Sequence, residues 1–310
     1  MRRLAVLGVL VLLACTVGAM YSAKHFVLEW LCHFRLQYIA FGLLLLLPLL
    51  LTRAWIWSLL VFALIAANLL PCLSWSFSPR PKVADHAPKL RVLLANLYSG
   101  NADATRLRRL VIDERPDLLA LLEVTPSWRE RLTFLERRYP HRLIHSQQGN
   151  FGIAIYSRLP LEDARAIRFY AGDPVSLAAT VVTAKLRVQL LVVHPVPPIN
   201  AKMAFARDRL LAHAAAHLNK RFADPRLLLG DLNATMWSPA LDVFGAIGME
   251  NARRGIGLLP TWPVTQPLLQ LPLDHAYHDR RLRIAALWRG PDIGSDHFPL
   301  LIDVARAALR

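Results

Sequence analysis

Cysteine is scarce and confined. The 310-residue chain has three, Cys15, Cys32 and Cys72, and none follows them. The remaining chain therefore needs no disulfide and offers no thiol nucleophile and no Cys-ligated zinc. A domain without cysteine tolerates an oxidising compartment as readily as a reducing one. Acid is nearly missing from the N-terminal third: residues 1–73 hold Glu29 alone, against Arg2, Arg3, Lys24, Arg35 and Arg53. There is no Gly-rich nucleotide loop and no repeat of fixed period. Charged residues make up 19% and hydrophobic residues 55%, whereas a soluble domain is about a quarter charged. These shortages exclude a small disulfide scaffold, a disordered chain and a uniformly soluble protein.

What the N-terminal third has instead is three uncharged apolar runs, 4–20, 36–51 and 54–73. A helix rises about 1.5 Å per residue, so about 20 residues cross a hydrocarbon core of roughly 30 Å. The middle run is short and needs its flanks or a locally thinned bilayer. Thr52-Arg53 separates the second and third runs, and the reading is a tight hairpin there. The first run has the charged start of a signal peptide, without a clear cleavage site, and Leu12-Leu13-Ala14-Cys15 resembles an atypical lipoprotein box. By the positive-inside rule Arg2, Arg3 and Arg53 are cytoplasmic and the 22–35 loop lies outside. The expectation is a transmembrane region over 1–73 and a linker over 74–89, with residues 90–310 forming a domain outside the cytoplasm. Cleavage of the first run leaves that side unchanged. The linker, with three prolines and no apolar period, is expected to be extended.

Of the 37 Lys and Arg and the 22 Asp and Glu, 32 and 21 lie beyond residue 73, an excess of 11 basic charges. Apolar runs at 90–96, 117–124, 152–156, 177–184, 186–194, 226–229, 273–277, 283–287 and 298–304 read as strands, several buried on both faces. Helices are expected over 104–114 and 201–219. Asn96, Glu123, His194 and Asp231 each stand where an apolar strand ends, which is where a rigid scaffold presents functional side chains.

In order, the chain carries Asn96, Glu123, Gly152 followed by IAIYSR, His194-Pro195, Gly230-Asp231-Leu232-Asn233, Leu273-Asp274-His275 and Ser295-Asp296-His297. Singly, each has an ordinary explanation. Asp231-Leu232-Asn233 is an Asx turn as often as a site, and Glu123 is a strand-end carboxylate. The order and spacing together resemble the endonuclease/exonuclease/phosphatase superfamily over residues 90–306. That superfamily includes deoxyribonuclease I, exonuclease III-type nucleases, neutral sphingomyelinases and inositol polyphosphate phosphatases. The resemblance implies an α/β fold of two packed β-sheets flanked by helices, here preceded by the helical transmembrane region. It implies a Mg²⁺-dependent hydrolase of phosphodiester bonds, with Mn²⁺ as a substitute.

The resemblance also implies roles. Glu123 is the metal ligand, joined by Asn96 and Asp296. Asp231 positions and deprotonates water, with Asn233 beside it on the phosphate. His297 contacts the phosphoryl oxygen, held and kept charged by Asp274. In other mechanisms of the family the Asp274–His297 pair is itself the general base. His194 matches the acid of the deoxyribonuclease I and sphingomyelinase branches, and Asn150 is a candidate contact to the scissile phosphate. Such groups suit the reaction, because phosphodiester hydrolysis needs charge stabilisation, an activated water and help for the leaving oxygen.

Other features have plainer readings. His213 and His217 share a helix face without a third ligand. Thr261-Trp262-Pro263 is either a loop aromatic near the site or packing. The runs 106–109 and 280–283 reflect an arginine-rich composition as readily as a phosphate patch. The aromatic-rich signature of the inositol phosphatases is absent, and the exonuclease III branch has another residue at the place of His194. Two substrates stand open, nucleic acid outside the cytoplasm and a phospholipid or sphingolipid headgroup. A non-enzyme scaffold on the same fold is the third reading, but it predicts loss of Glu123, Asp231 or His297, and all are retained. Bacterial chains of this type imply a multi-pass inner-membrane protein with a periplasmic catalytic domain. The partners expected are the lipid bilayer and the substrate, and no feature points to a protein partner.

Overall fold

Leucine-rich runs without charge fold as helices, here even through Pro48 and Pro71. In the computed structural model, which describes residues 1–79, 89–184, 186–220 and 223–307, the first 77 residues form four helices. They are α1 (Arg2–Met20), α2 (Phe26–Cys32), α3 (Arg35–Leu51) and α4 (Trp55–Phe77). Helices α1 and α4 are each long and apolar enough to cross a membrane. Helices α2 and α3 reach that length only as a pair, bent by 64°. The bundle buries Val9, Leu12, Leu49 and Val61 and leaves Leu44 (74%) and Ile56 (82%) exposed. An apolar outer face is the reverse of a water-soluble bundle. At the expected hairpin Arg53 takes φ 52°, and the Ala54 N–H donates to Leu49 O at 2.9 Å.

The linker begins later than the sequence suggests. Residues 74–77 continue α4, which carries Pro71 within it and ends at Phe77, where Ser78 before Pro79 is extended. The Trp75 carbonyl then accepts from the Gly255 N–H at 2.7 Å, which ties this end to the following domain. Residues 80–88 of the expected linker lie outside the described residues.

The domain runs β1 (Lys89–Asn96), α5 (Thr105–Glu114), β2 (Leu118–Leu122), α6 (Pro126–Arg131), β3 (His141–His145), β4 (Ile153–Ser157), β5 (Leu161–Ile167), β6 (Ser176–Val182), β7 (Arg187–Val192), α7 (Ala201–Leu218), β8 (Arg226–Asp231), α8 (Asp242–Ala246), β9 (Met249–Asn251), β10 (Asp274–Asp279), β11 (Leu282–Arg289) and β12 (Leu300–Arg306). Two mixed six-stranded sheets result, in the orders β11-β12-β1-β2-β4-β3 and β5-β6-β7-β8-β10-β9. Each has one parallel pair at its centre, β1 with β2 and β7 with β8. One apolar core between the sheets takes side chains such as Val92, Leu122, Leu190 and Leu229 from both. Two further cores lie on the outer faces, one under α5 and α6, the other under α7 and α8. That burial on both faces explains the continuously apolar strands. The strands β3, β5 and β9 went unpredicted. β3 and β5 end their sheets with polar, partly exposed sequences, and β9 is three residues long.

Parallel pairing puts the C-terminal ends of β1 and β2 together, with Asn96 opposite Leu122. It does the same for β7 and β8. Strand β10 runs antiparallel to β8, so its first residue, Asp274, lies opposite Asp231. Residues from both sheets thus converge at one edge of the sandwich.

Candidate active site

Two glycines set the approach at this edge. A Cβ on Gly152 would lie 2.0 Å from Val124 O, and one on Gly230 2.0 Å from Val193 O. Glycine alone lets these backbones touch, just beyond Glu123 and just before His194. Glu123 itself has φ 59° and Asn233 φ 50°. Strained left-handed backbone at non-glycine residues is held by its surroundings and is frequent at functional sites.

One oxygen organises the cluster. Asp231 Oδ2 accepts from Asn96 Nδ2 at 3.3 Å and lies 3.6 Å from Nε2 of both His194 and His297. Its other oxygen accepts the Asn233 N–H at 2.9 Å. Asn96 Nδ2 also donates to Glu123 Oε1 at 3.0 Å, so one amide bridges two carboxylates from opposite sheets. Behind His297, its Nδ1 donates to Asp274 Oδ2 at 2.8 Å. Asp231, Asp274, His194 and His297 are all buried.

Burial pushes the Asp231 carboxyl above the ordinary carboxylate range, against the pull of His297 and His194, and the Asp274 charge adds to the rise. Asp274 faces the same burial, but the His297 imidazolium and its hydrogen bond outweigh it and hold Asp274 below that range. Burial also works against charge on His297. Asp274 and Asp231 overcome it and raise His297 to about 10. A carboxylate ready to take a proton thus faces an imidazolium.

Glu123 is 7% exposed, and its Oε2 accepts from the Ser99 N–H at 2.8 Å. Among the described residues no basic side chain pairs with it. A buried carboxylate with only neutral donors around it fits a hard divalent cation. Asp231, Asp274 and His297 also each offer a ligand atom within 4.8 Å of one another. There the Asp274–His297 bond already consumes one atom from each of two members, and the imidazolium opposes a cation. The donor set therefore favours the Glu123 side.

Of the residues singled out in sequence, Glu123, Asn150, His194, Asp231, Asn233, Asp296 and His297 line one cleft of about 680 Å³. Asn96 and Asp274 stand behind it. Asn233 spends its amide on Pro195 O at 3.0 Å, which joins the His-Pro loop to the Asp231 loop. Asn150 accepts from the Ser99 hydroxyl at 2.7 Å. Trp262 belongs to the site: its Nε1 donates to Asp296 Oδ2 at 3.1 Å, and its ring centroid lies 6.3 Å from that of His297.

Sequence reasoning missed Ser99, which bonds Glu123 and Asn150, and it missed Phe151 and, above all, Trp30, His33 and Phe34 from the N-terminal third, which line the cleft. Glu29, the one acid among the apolar runs, was the available signal. His213 and His217 both lie tilted against the Phe169 ring. Arg106 pairs with Asp292 and Arg281 with Asp279, so those charges have local partners.

The sequence profile of the Endonuclease/Exonuclease/phosphatase family matches residues 93–297. No curated protein sequence matches the chain. Among solved structures, an endonuclease/exonuclease/phosphatase from Beutenbergia cavernae is similar, with TM-score 0.61 and 19% identity over 71% of this chain and 72% of that one. TDP2 of D. rerio, solved with a single-strand DNA product, has TM-score 0.58 and 16% identity over 70% of this chain and 98% of that one. The human Nocturnin catalytic domain, with bound sulfate, has TM-score 0.58 and 18% identity over 72% and 96%. At these identities the likeness is one of fold.

Proposed function

The chain belongs to the endonuclease/exonuclease/phosphatase family, and from that membership we propose a membrane-anchored, divalent-metal-dependent phosphoesterase that splits phosphodiester bonds by attack of water. The observation that carries this reading is the meeting of Asn96, His194 and His297 on one oxygen of Asp231. Glu123, with Asn96 and Asp296, would hold Mg²⁺ or Mn²⁺. When bound, such an ion neutralises charge on the phosphoryl oxygens. Asp231 orients a water and takes its proton, a role suited to a carboxyl raised by burial. His297, charged and fixed by Asp274, stabilises negative charge developing on the phosphoryl group. His194 gives a proton to the leaving oxygen, and Asn150 and Asn233 border the phosphate. We place residues 1–73 in a bacterial inner membrane as a multi-pass anchor and residues 90–310 on its outer side as the catalytic domain. The apolar outer face of the helices supports the membrane anchor.

A nuclease is the second reading. It is favoured by the 11 excess basic charges beyond residue 73, since neutralised phosphates dominate nucleic-acid affinity. A catalytically silent scaffold on the same fold is disfavoured by the retained constellation. The test is hydrolysis by the full chain in detergent with Mg²⁺, on DNA, RNA and sphingomyelin side by side with a soluble phosphodiester. Cleavage of at least one is expected. Inertness towards all four, with the protein folded, would support the scaffold.

A further inference from the structure

One wall of the cleft does not come from the β-sandwich. Trp30, His33 and Phe34 line it, and they belong to the connection between α1 and α3. That connection is fixed to the domain by buried polar contacts. Arg207, fully buried, donates to Glu29 at 2.5 Å, and the Ser238 hydroxyl donates to the other carboxylate oxygen. His33 Nδ1 and Thr235 Oγ1 share a hydrogen bond of 2.9 Å. Trp30 Nε1 donates to Pro198 O at 2.7 Å. The sole acid of the first 73 residues is thus committed to holding this segment beside the catalytic cluster.

The cleft is divided chemically. Its catalytic end carries Glu123, Asp231 and His297, and its walls carry Trp30, Phe34, Phe151, Ile199, Met203 and Leu271. Among the described residues no Lys or Arg lines it, despite the basic excess of the domain. A nucleic-acid backbone is held chiefly by such side chains. Ile199 in this wall is 63% exposed, and Leu268, outside the cleft, is 88% exposed. Gln37, at the start of α3, donates to Leu268 O at 3.0 Å. Apolar side chains of the helical region, Trp30 and Phe34, therefore border the same cleft as the catalytic groups.

Resting on the phosphoesterase reading above, we propose that the substrate is a lipid of the surrounding membrane carrying a phosphoester headgroup, and that the 26–35 connection forms part of its binding site. The phosphorus lies against Asp231 and His297 while the chains leave past Trp30 and Phe34 towards the bilayer. The water oxygen bonds to phosphorus and the bond from phosphorus to the leaving alcohol oxygen breaks. Asp231 accepts the proton of the water, and His194 supplies one to the alcohol, with no change in oxidation state. Anchoring serves the reaction here, because enzyme and substrate share one surface.

The experiment uses the full chain in vesicles of phosphatidylethanolamine and phosphatidylglycerol in equal parts, with Mg²⁺ or Mn²⁺. Release of diacylglycerol or phosphatidic acid is read beside hydrolysis of bis(p-nitrophenyl) phosphate and single-stranded DNA. Vesicle lipid is expected to be cleaved at least roughly tenfold faster than DNA, since remote contacts feed the chemical step. Trp30→Ala and Phe34→Ala are each expected to lower the lipid rate about tenfold more than the rate on the soluble ester. The wild-type comparison stands even where a variant fails to fold. Cleavage of the soluble ester with lipid untouched, faster turnover of DNA than lipid, or equal losses on lipid and soluble ester in folded variants would overturn the proposal. Inertness towards all three substrates would remove the phosphoesterase reading and this proposal with it.

Discussion

Asp274 Oδ2 accepts a 2.8 Å hydrogen bond from His297 Nδ1, although 23 positions separate the two residues in the chain. Asp274 opens β10 in one sheet, and His297 precedes β12 in the other, so only the closed sandwich joins them. If the pair acts as a unit, losing either partner disables both. His297→Ala is expected to slow hydrolysis by about 10²–10⁴. The double variant Asp274→Asn/His297→Ala is then expected to be no slower than His297→Ala alone. Steady-state rates of the two single variants and the double variant decide this, and losses that multiply in folded proteins would rule out a pair.

Glu29 and Arg207 give a second prediction. Both are buried, and Asp208 and the Asn233 carbonyl are the other partners of Arg207. Removing one member of a buried pair costs about 3–5 kcal/mol where the charge is left uncompensated, and less here because Asp208 still pairs with Arg207. Glu29→Ala is expected to lower the thermal midpoint of the detergent-solubilised chain and to loosen the 26–35 connection from the domain. An unchanged midpoint together with unchanged protease protection of that connection would show the contact to be dispensable.

The glycine contacts give a third. Alanine at Gly152 or Gly230 puts a Cβ 2.0 Å from a backbone carbonyl oxygen, so strands must part. Overpacking of this kind costs roughly 1–3 kcal/mol or more, and it also displaces the neighbouring Glu123 or His194. Gly245 in α8 has nothing within 4 Å, so Gly245→Ala is expected to be neutral or to stabilise by about 0.5–1 kcal/mol. Thermal melts of the three variants check the contrast, and equal effects would contradict it.

His275 supplies a pH dependence. Burial and the nearby Arg253 push its imidazole down to about 3, and its ring bonds Asn251 and the Ala234 carbonyl. The unfolded chain takes up this proton near the ordinary value of about 6.5. Between those values the unfolded state holds the extra proton, so stability falls as pH falls. The slope from this residue is about 1.4 kcal/mol per pH unit. Unfolding of wild type and His275→Asn across that range is expected to show the wild type losing stability more steeply on acidification. Parallel curves would show that His275 is not held neutral.

How much of this was legible in sequence follows from which contacts are local. Asn96, Glu123 and Asp231 were legible because a continuously apolar strand announces its own end. The convergence of Asn96, His194 and His297 on one Asp231 oxygen was not, because it depends on how two sheets close. The segments 141–145 and 161–167 were opaque because edge strands with a partly exposed face carry no apolar pattern. The docking of Glu29 on Arg207 spans 178 positions, and an isolated acid beside apolar runs gives its presence but not its partner. Trp262 was visible as a loop aromatic, and its bond to Asp296 and its approach to His297 assign it to the site.

The central claim is metal-dependent phosphoester hydrolysis built on Glu123 and Asp231. Its most direct test is hydrolysis of bis(p-nitrophenyl) phosphate by the full chain, first in excess chelator and then with Mg²⁺ or Mn²⁺ restored, for wild type, Glu123→Ala and Asp231→Asn. The account predicts no turnover in chelator and recovery on adding metal. It predicts a raised metal requirement or no activity for Glu123→Ala, and a loss of about 10²–10⁴ for Asp231→Asn. Undiminished hydrolysis by the wild type in excess chelator would contradict it.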